Sequence, residues 1–165
     1  MQEKIRYSKR YIITVVAIML IIIATAILRI DHQENYLVIC DGETKEDIAE
    51  FMFGETREFA VKFRHSVNQS MVEDRYRIQD DAIMVYETVY YNFGAGVQTQ
   101  LGEGQTLTEG KDGSMIIGDI DTVIPELYYN ISPVYDHILE INDTEVSLKE
   151  LCYDSRTVLL QYEVK

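Results

Sequence analysis

His65, Asp74 and Glu87 are the residues of this chain whose types and spacing could do chemistry together. Side by side, the two carboxylates repel, so one is driven toward its neutral form or a cation sits between them. The imidazole beside them is drawn toward its protonated form. Such a trio suits a ligand pocket, a pH-sensitive contact or a metal site, and it suits equally a polar network that closes the rim of a sheet. The trio meets only if its strands pair in one register. Asp80-Asp81 reads as a two-residue turn, which sets Ile78 opposite Ile83, Tyr76 opposite Val85 and Asp74 opposite Glu87. A four-residue loop over residues 68–71 sets Val61 opposite Ile78, Phe63 opposite Tyr76 and His65 opposite Asp74. Both registers match apolar to apolar on one face, which predicts one row across three strands, near the rim of the core face. A two-residue slip of the first hairpin pairs Arg64 with Glu73 instead and breaks the row.

Other chemistry is poorly supplied. His65 and Ser66 are successive residues of a strand, point to opposite faces and cannot exchange a proton, and no G-x-S-x-G elbow is present. Gly94-Ala95-Gly96 is one G-x-G without the remainder of a dinucleotide fingerprint or a helix after it. Its glycines are expected to allow a positive φ or a close backbone approach beside the His65 row. There is no CxxC and no Cys/His ligand spacing. The expectation is therefore a protein that is not an enzyme, with no cofactor and no dedicated metal centre.

The elements that must position these residues are strands. From residue 36 to the end the hydrophobic period stays near two. Strands are predicted over 36–40, 48–53 (or one helical turn within 44–53), 58–67, 72–78 and 83–91. Residues 97–113 read as a polar, glycine-rich loop. Further strands are predicted over 114–118, 123–130, 137–141 and 157–164, with 148–152 a short strand or a helical turn. About eight short strands with turns every eight to twelve residues argue for an all-β fold, a single antiparallel β-sandwich or small barrel. The twelve tyrosines suit half-buried strand faces.

Ahead of this body lies the run YIITVVAIMLIIIATAIL, residues 11–28, without a charge. As a helix it rises roughly 27 Å, close to the ~30 Å hydrocarbon core of a bilayer. Its eleven Ile, Val and Leu residues sum to about −3 to −7 kcal/mol of insertion free energy. Lys4, Arg6, Lys9 and Arg10 precede it against Glu3 alone, which keeps that end in the cytoplasm. The expected organisation is a cytoplasmic N-terminus over 1–10, one transmembrane helix over 11–30 and an extracytoplasmic β domain over 36–165. A cleaved secretory signal remains the alternative, because Ala24-Thr25-Ala26 fits a small-x-small cleavage site.

The net charge is −13, and the first thirty residues hold five basic groups against one acid, so the remainder carries −17. A body this acidic offers no footprint for nucleic acid and is repelled by an anionic membrane surface. Cys40 and Cys152 face either of two fates, two buried free thiols or a disulfide closing a loop of about 110 residues, worth ~4 to 5 kcal/mol in the chain-entropy model.

FRHSV at residues 63–67, Glu73-Asp74 before Tyr76-Arg77-Ile78, and YETVYYNFGAG at residues 86–96 resemble the bacterial domain-of-unknown-function family numbered 1850. Members share an HSV motif, a downstream acid, an acid on the next strand and a GAG motif. The resemblance implies a small protein with one N-terminal apolar segment. It also implies an accessory role at a tripartite ATP-independent periplasmic (TRAP) transporter of the TAXI type, the partner being its membrane subunit or its solute-binding protein. His65, Ser66, Asp74, Glu87, Gly94 and Gly96 match the motif positions and, with Glu73, are the candidate binding residues.

Overall fold

The computed structural model describes residues 11–22, 34–67, 69–92 and 100–165. Two units are distinct, residues 1–33 and residues 34–165. In the first, residues 11–22 form helix α1, with every residue exposed. At 1.5 Å per residue α1 spans about 18 Å, and among the described residues no helix is long and apolar enough to cross a membrane. Residues 23–30, the rest of the predicted anchor, lie outside the described residues.

The second unit is all-β. Its small sheet runs β2 (Asp47–Met52), β1 (Asn35–Asp41), β12 (Thr157–Val164), β9 (Leu127–Asn130). The large sheet runs β11 (Thr144–Ser147), β10 (His137–Ile141), β3 (Glu58–Arg64), β4 (Met71–Gln79), β5 (Ala82–Tyr90), β7 (Met115–Gly118), β6 (Thr106–Glu109), with β8 (Thr122–Val123) also on β5. Every pairing between described strands is antiparallel. Leu37, Ile39, Val158 and Leu160 of the small sheet share one core with Phe59, Val61, Tyr76, Ile83, Leu139 and Ile141 of the large one. That is a sandwich, the first of the two predicted architectures.

Strand parity explains which residues go inside, because alternate side chains point to opposite faces. Leu37 and Ile39 enter the shared core, while Val38 and Cys40 join Leu159 in a second cluster with Tyr36 packed against it. Buried on both faces, the run LVIC shows no polar alternation, and each fully buried aliphatic side chain contributes about 1.5–3 kcal/mol. At the end of β1, Gly42 N donates to Thr157 O at 2.8 Å, and a Cβ on Gly42 would lie 2.8 Å from that same oxygen. Only glycine permits this approach.

Both cysteines are free and buried, in different clusters, so no bridge ties the domain's ends. Burial pushes each thiol up to about 11. The structure also corrects the strand plan. Twelve strands are described where about eight were expected. β6 lies inside the predicted loop, 123–130 divides at Ile124-Pro125-Glu126 into β8 and β9, and a hairpin strand, β11, precedes the one-turn helix α2 (Leu148–Leu151). Asn142 and Asp143 turn into β11 with both φ angles positive, 49° and 58°, the signature of a two-residue hairpin turn.

Candidate functional site

The first hairpin takes neither of the registers weighed from the sequence. Phe59 faces Tyr76, Val61 faces Asp74, Lys62 faces Glu73, Phe63 faces Val72, and Arg64 faces Met71. Relative to the expected pairing the slip is four residues, an even number, so every side chain keeps its face while its neighbours change. The outward face explains the choice. The expected register would have set Lys62 opposite Arg77 and Arg64 opposite Arg75. The actual one sets Glu58 opposite Arg77 and Lys62 opposite Glu73, exchanging like charges for opposite ones. On the inward face Phe59 stacks on Tyr76 with centroids 4.9 Å apart.

The second hairpin turns at Asp80-Asp81 as expected, with φ of 52° and 58°, and keeps Ile78 opposite Ile83 and Tyr76 opposite Val85. Beyond that pair the register shifts, so Arg75 faces Glu87 and Asp74 faces Thr88. Tyr86 is the extra residue of a β-bulge. The predicted clash of Asp74 with Glu87 never arises, because the bulge turns Glu87 outward onto Arg75 and brings a hydroxyl donor to Asp74.

Two polar clusters result, back to back across β4. Outside, Arg75 donates from Nε to Glu73 at 2.6 Å and from Nη1 to Glu87 at 2.5 Å. The Tyr91 hydroxyl donates to the other oxygen of Glu73 at 2.7 Å. Glu73 is 4% exposed, and these donors satisfy its buried carboxylate oxygens. Burial lowers the affinity of Arg75 for its proton, but Glu73 and Glu87 outweigh it and the guanidinium is held more firmly charged than usual. The ion pairs continue along the face, Lys62 with Glu140 and Glu145 and Arg77 with Asp121. Over Ala60, where this face lacks a long side chain, a cleft of about 300 Å³ opens, lined by Glu58, Glu73, Arg75, Tyr86 and Glu140 among others.

Inside, Asp74 accepts from Thr88 Oγ1 at 2.8 Å and from the Tyr129 hydroxyl at 3.4 Å, and the Tyr129 and Tyr76 hydroxyls lie 2.6 Å apart. Tyr129 comes from β9, so this network joins the two sheets. Burial raises Asp74, against the lowering effect of its hydrogen bonds from Thr88, Tyr129 and Tyr76. Burial also raises Tyr129 well above the ordinary tyrosine value and raises Tyr76, helped by the nearby Asp74 carboxyl. His137 stacks on Phe63 and lies against Tyr129, each at 5.6 Å between centroids. Burial lowers its affinity for a proton, and its Nδ1 has no hydrogen-bond partner among the described residues.

The predicted row of His65, Asp74 and Glu87 is therefore not formed. β3 ends at Arg64, and His65 opens the hairpin loop, where its N–H donates to Ser70 O at 2.8 Å. Its Nδ1 accepts from the Val67 N–H at 3.2 Å, so the imidazole braces the turn. Ser66 is exposed in the same turn. Asp74 faces the core, whereas Glu87 and Glu73 meet on the opposite face through Arg75. Gly94 and Gly96 lie outside the described residues. Sequence reasoning passed over Arg75, Thr88, Tyr129 and His137. Arg75 and Thr88 stand one residue from the chosen acids, and His137 shares the parity of core residues Leu139 and Ile141.

An antiparallel sandwich with an acid laced between its sheets and an ion-pair ladder on one outer face is the class of protein defined here. The family model described as "Domain of unknown function (DUF1850)" matches residues 59–148, more than half of the chain, and the chain belongs to that family. No curated protein and no solved structure matches it.

Proposed function

We propose that this chain is a single-pass membrane protein whose β domain stands outside the cytoplasmic membrane as an accessory of a TRAP-type (TAXI) solute transporter. In this role it docks on the transporter's membrane subunit or its solute-binding protein. The observation that carries the reading is the character of α1. Its Ile, Val, Leu and Met side chains are 39–68% exposed, on every side of the helix. A helix apolar all round is stable in water only when covered, and a bilayer covers it from every side. Six further uncharged residues, 23–28, extend the run in sequence, and the basic residues before it set the orientation.

The transporter as partner follows from the resemblance to the family, and the charge of the body says how it would dock. An acidic domain with ordered ion pairs across an outer face is steered to a basic surface, and such steering weakens with salt. The full chain, tagged and extracted in mild detergent, should carry the transporter membrane subunit with it at low salt and release it as salt rises past about 0.15 M. Deleting the gene should lower uptake. Repeated failure to co-purify, with uptake unchanged by deletion, removes the proposal.

A further inference from the structure

A hollow of about 1010 Å³ lies away from both polar clusters, beside α2 and the start of β12. Drug-sized ligands occupy sites of about 300–1,000 Å³ with mostly apolar walls and a few fixed polar groups. Here Ile131, Pro133 and Tyr153 supply apolar wall, and Tyr153 is 88% exposed.

The charges lining this hollow are unlike those of the rest of the body. Residues 34–165 hold twenty-six acids and ten basic groups, and their other arginines are engaged. Arg75 and Arg77 are ion-paired, Arg64 donates to Gln69 O and stacks over Tyr135, and Arg57 reaches the Tyr162 hydroxyl. Lys149, also in the hollow, donates to Pro133 O at 2.7 Å. Arg156 lines the hollow, is exposed, and its guanidinium has no ion-pair or hydrogen-bond partner among the described residues. An arginine left open among so many carboxylates is a ready fork for one carboxylate. Glu43 and Asp154 line the same hollow and set the upper limit, because they would repel a second negative charge.

We infer that this hollow binds a small monocarboxylate with an apolar or aromatic body, the carboxylate on Arg156 and the body against Ile131, Pro133 and Tyr153. The inference does not depend on the membrane anchor or on a transporter. It is tested by isothermal titration of the full chain in detergent with phenylacetate. Phenylacetamide serves as the neutral isostere and phenethylammonium as the charge-reversed probe. Phenylacetate should bind, and the amide and the ammonium should each bind about tenfold or more weakly. Arg156→Gln, at an exposed position that leaves the core intact, should weaken phenylacetate by about tenfold or more, while Arg64→Gln should leave it unchanged. No binding of phenylacetate up to about 10 mM overturns the inference. So does binding that is indifferent to Arg156→Gln, or equal binding of the ammonium.

Discussion

Asp74→Asn is expected to gain stability relative to the native chain as pH rises, whereas Asp74→Ala loses stability at every pH. Burial raises the native carboxyl in the folded state, so folding favours its neutral form. The sign follows by linkage. The stabilisation from a neutral Asp74 is complete below the unfolded value of about 3.9, and it is lost as pH climbs through the raised folded value. Asparagine keeps the size, keeps an acceptor for Thr88 and cannot ionise, so the pH-dependent loss disappears in that variant. Alanine removes the acceptor and strands the Thr88 hydroxyl, at a cost of about 1–3 kcal/mol, while the Tyr129 hydroxyl keeps that of Tyr76. Urea unfolding of the three proteins from below the unfolded value of about 3.9 up to pH 8 separates these effects. An Asp74→Asn variant that weakens relative to native as pH rises over that range would contradict this account.

Arg75→Met should destabilise the domain by about 2–3 kcal/mol. Removing one partner of a buried pair costs ~3–5 kcal/mol because the other charge is stranded, and the partial exposure of Arg75 discounts that figure. Glu73, with 6% of its side chain exposed, is the charge left behind, and among the described residues only the Tyr91 hydroxyl remains to it. The double variant Glu73→Gln/Arg75→Met removes the stranded charge and should recover half or more of the loss. Glu87→Gln alone, at a better exposed carboxylate, should cost under about 1 kcal/mol. A double-mutant cycle by denaturant unfolding reads the coupling directly. Simple addition of the two single-variant effects would show that Glu73 does not lean on Arg75.

The fold class was legible because short strand-length runs recur between turn residues through the body, and the turn at Asp80-Asp81 was legible because aspartates tolerate positive φ. Register was legible only in part, for a physical reason. Inward-facing Phe59, Val61 and Phe63 fit several even slips equally well, so apolar matching fixes the face and leaves the alignment open. The deciding signal sat on the outward face, in Glu58, Lys62, Glu73 and Arg77, whose signs reject the expected pairing. It was readable in the sequence, and matching one face alone passed it by. The bulge at Tyr86 carried no glycine or proline to announce it, and it moved Glu87 to the other side of the sheet. His65 continued the apolar parity of β3 by type, yet it caps a turn. β6 and β11 were missed because each is four residues long and the first is exposed throughout. Tyr129 joins Asp74 from the other sheet, across a sequence separation that local pattern does not register.

Where the β domain stands relative to the membrane is the point on which the functional proposal turns, and Tyr153 offers direct access to it. It is 88% exposed, while Cys40 and Cys152 are buried thiols held up to about 11, so Tyr153→Cys supplies one reactive site. Spheroplasts expressing this variant, treated with a membrane-impermeant maleimide before and after lysis, report which side that residue occupies. The account predicts full labelling of intact spheroplasts, with the protein remaining in the membrane fraction. Labelling that appears only after lysis would contradict it.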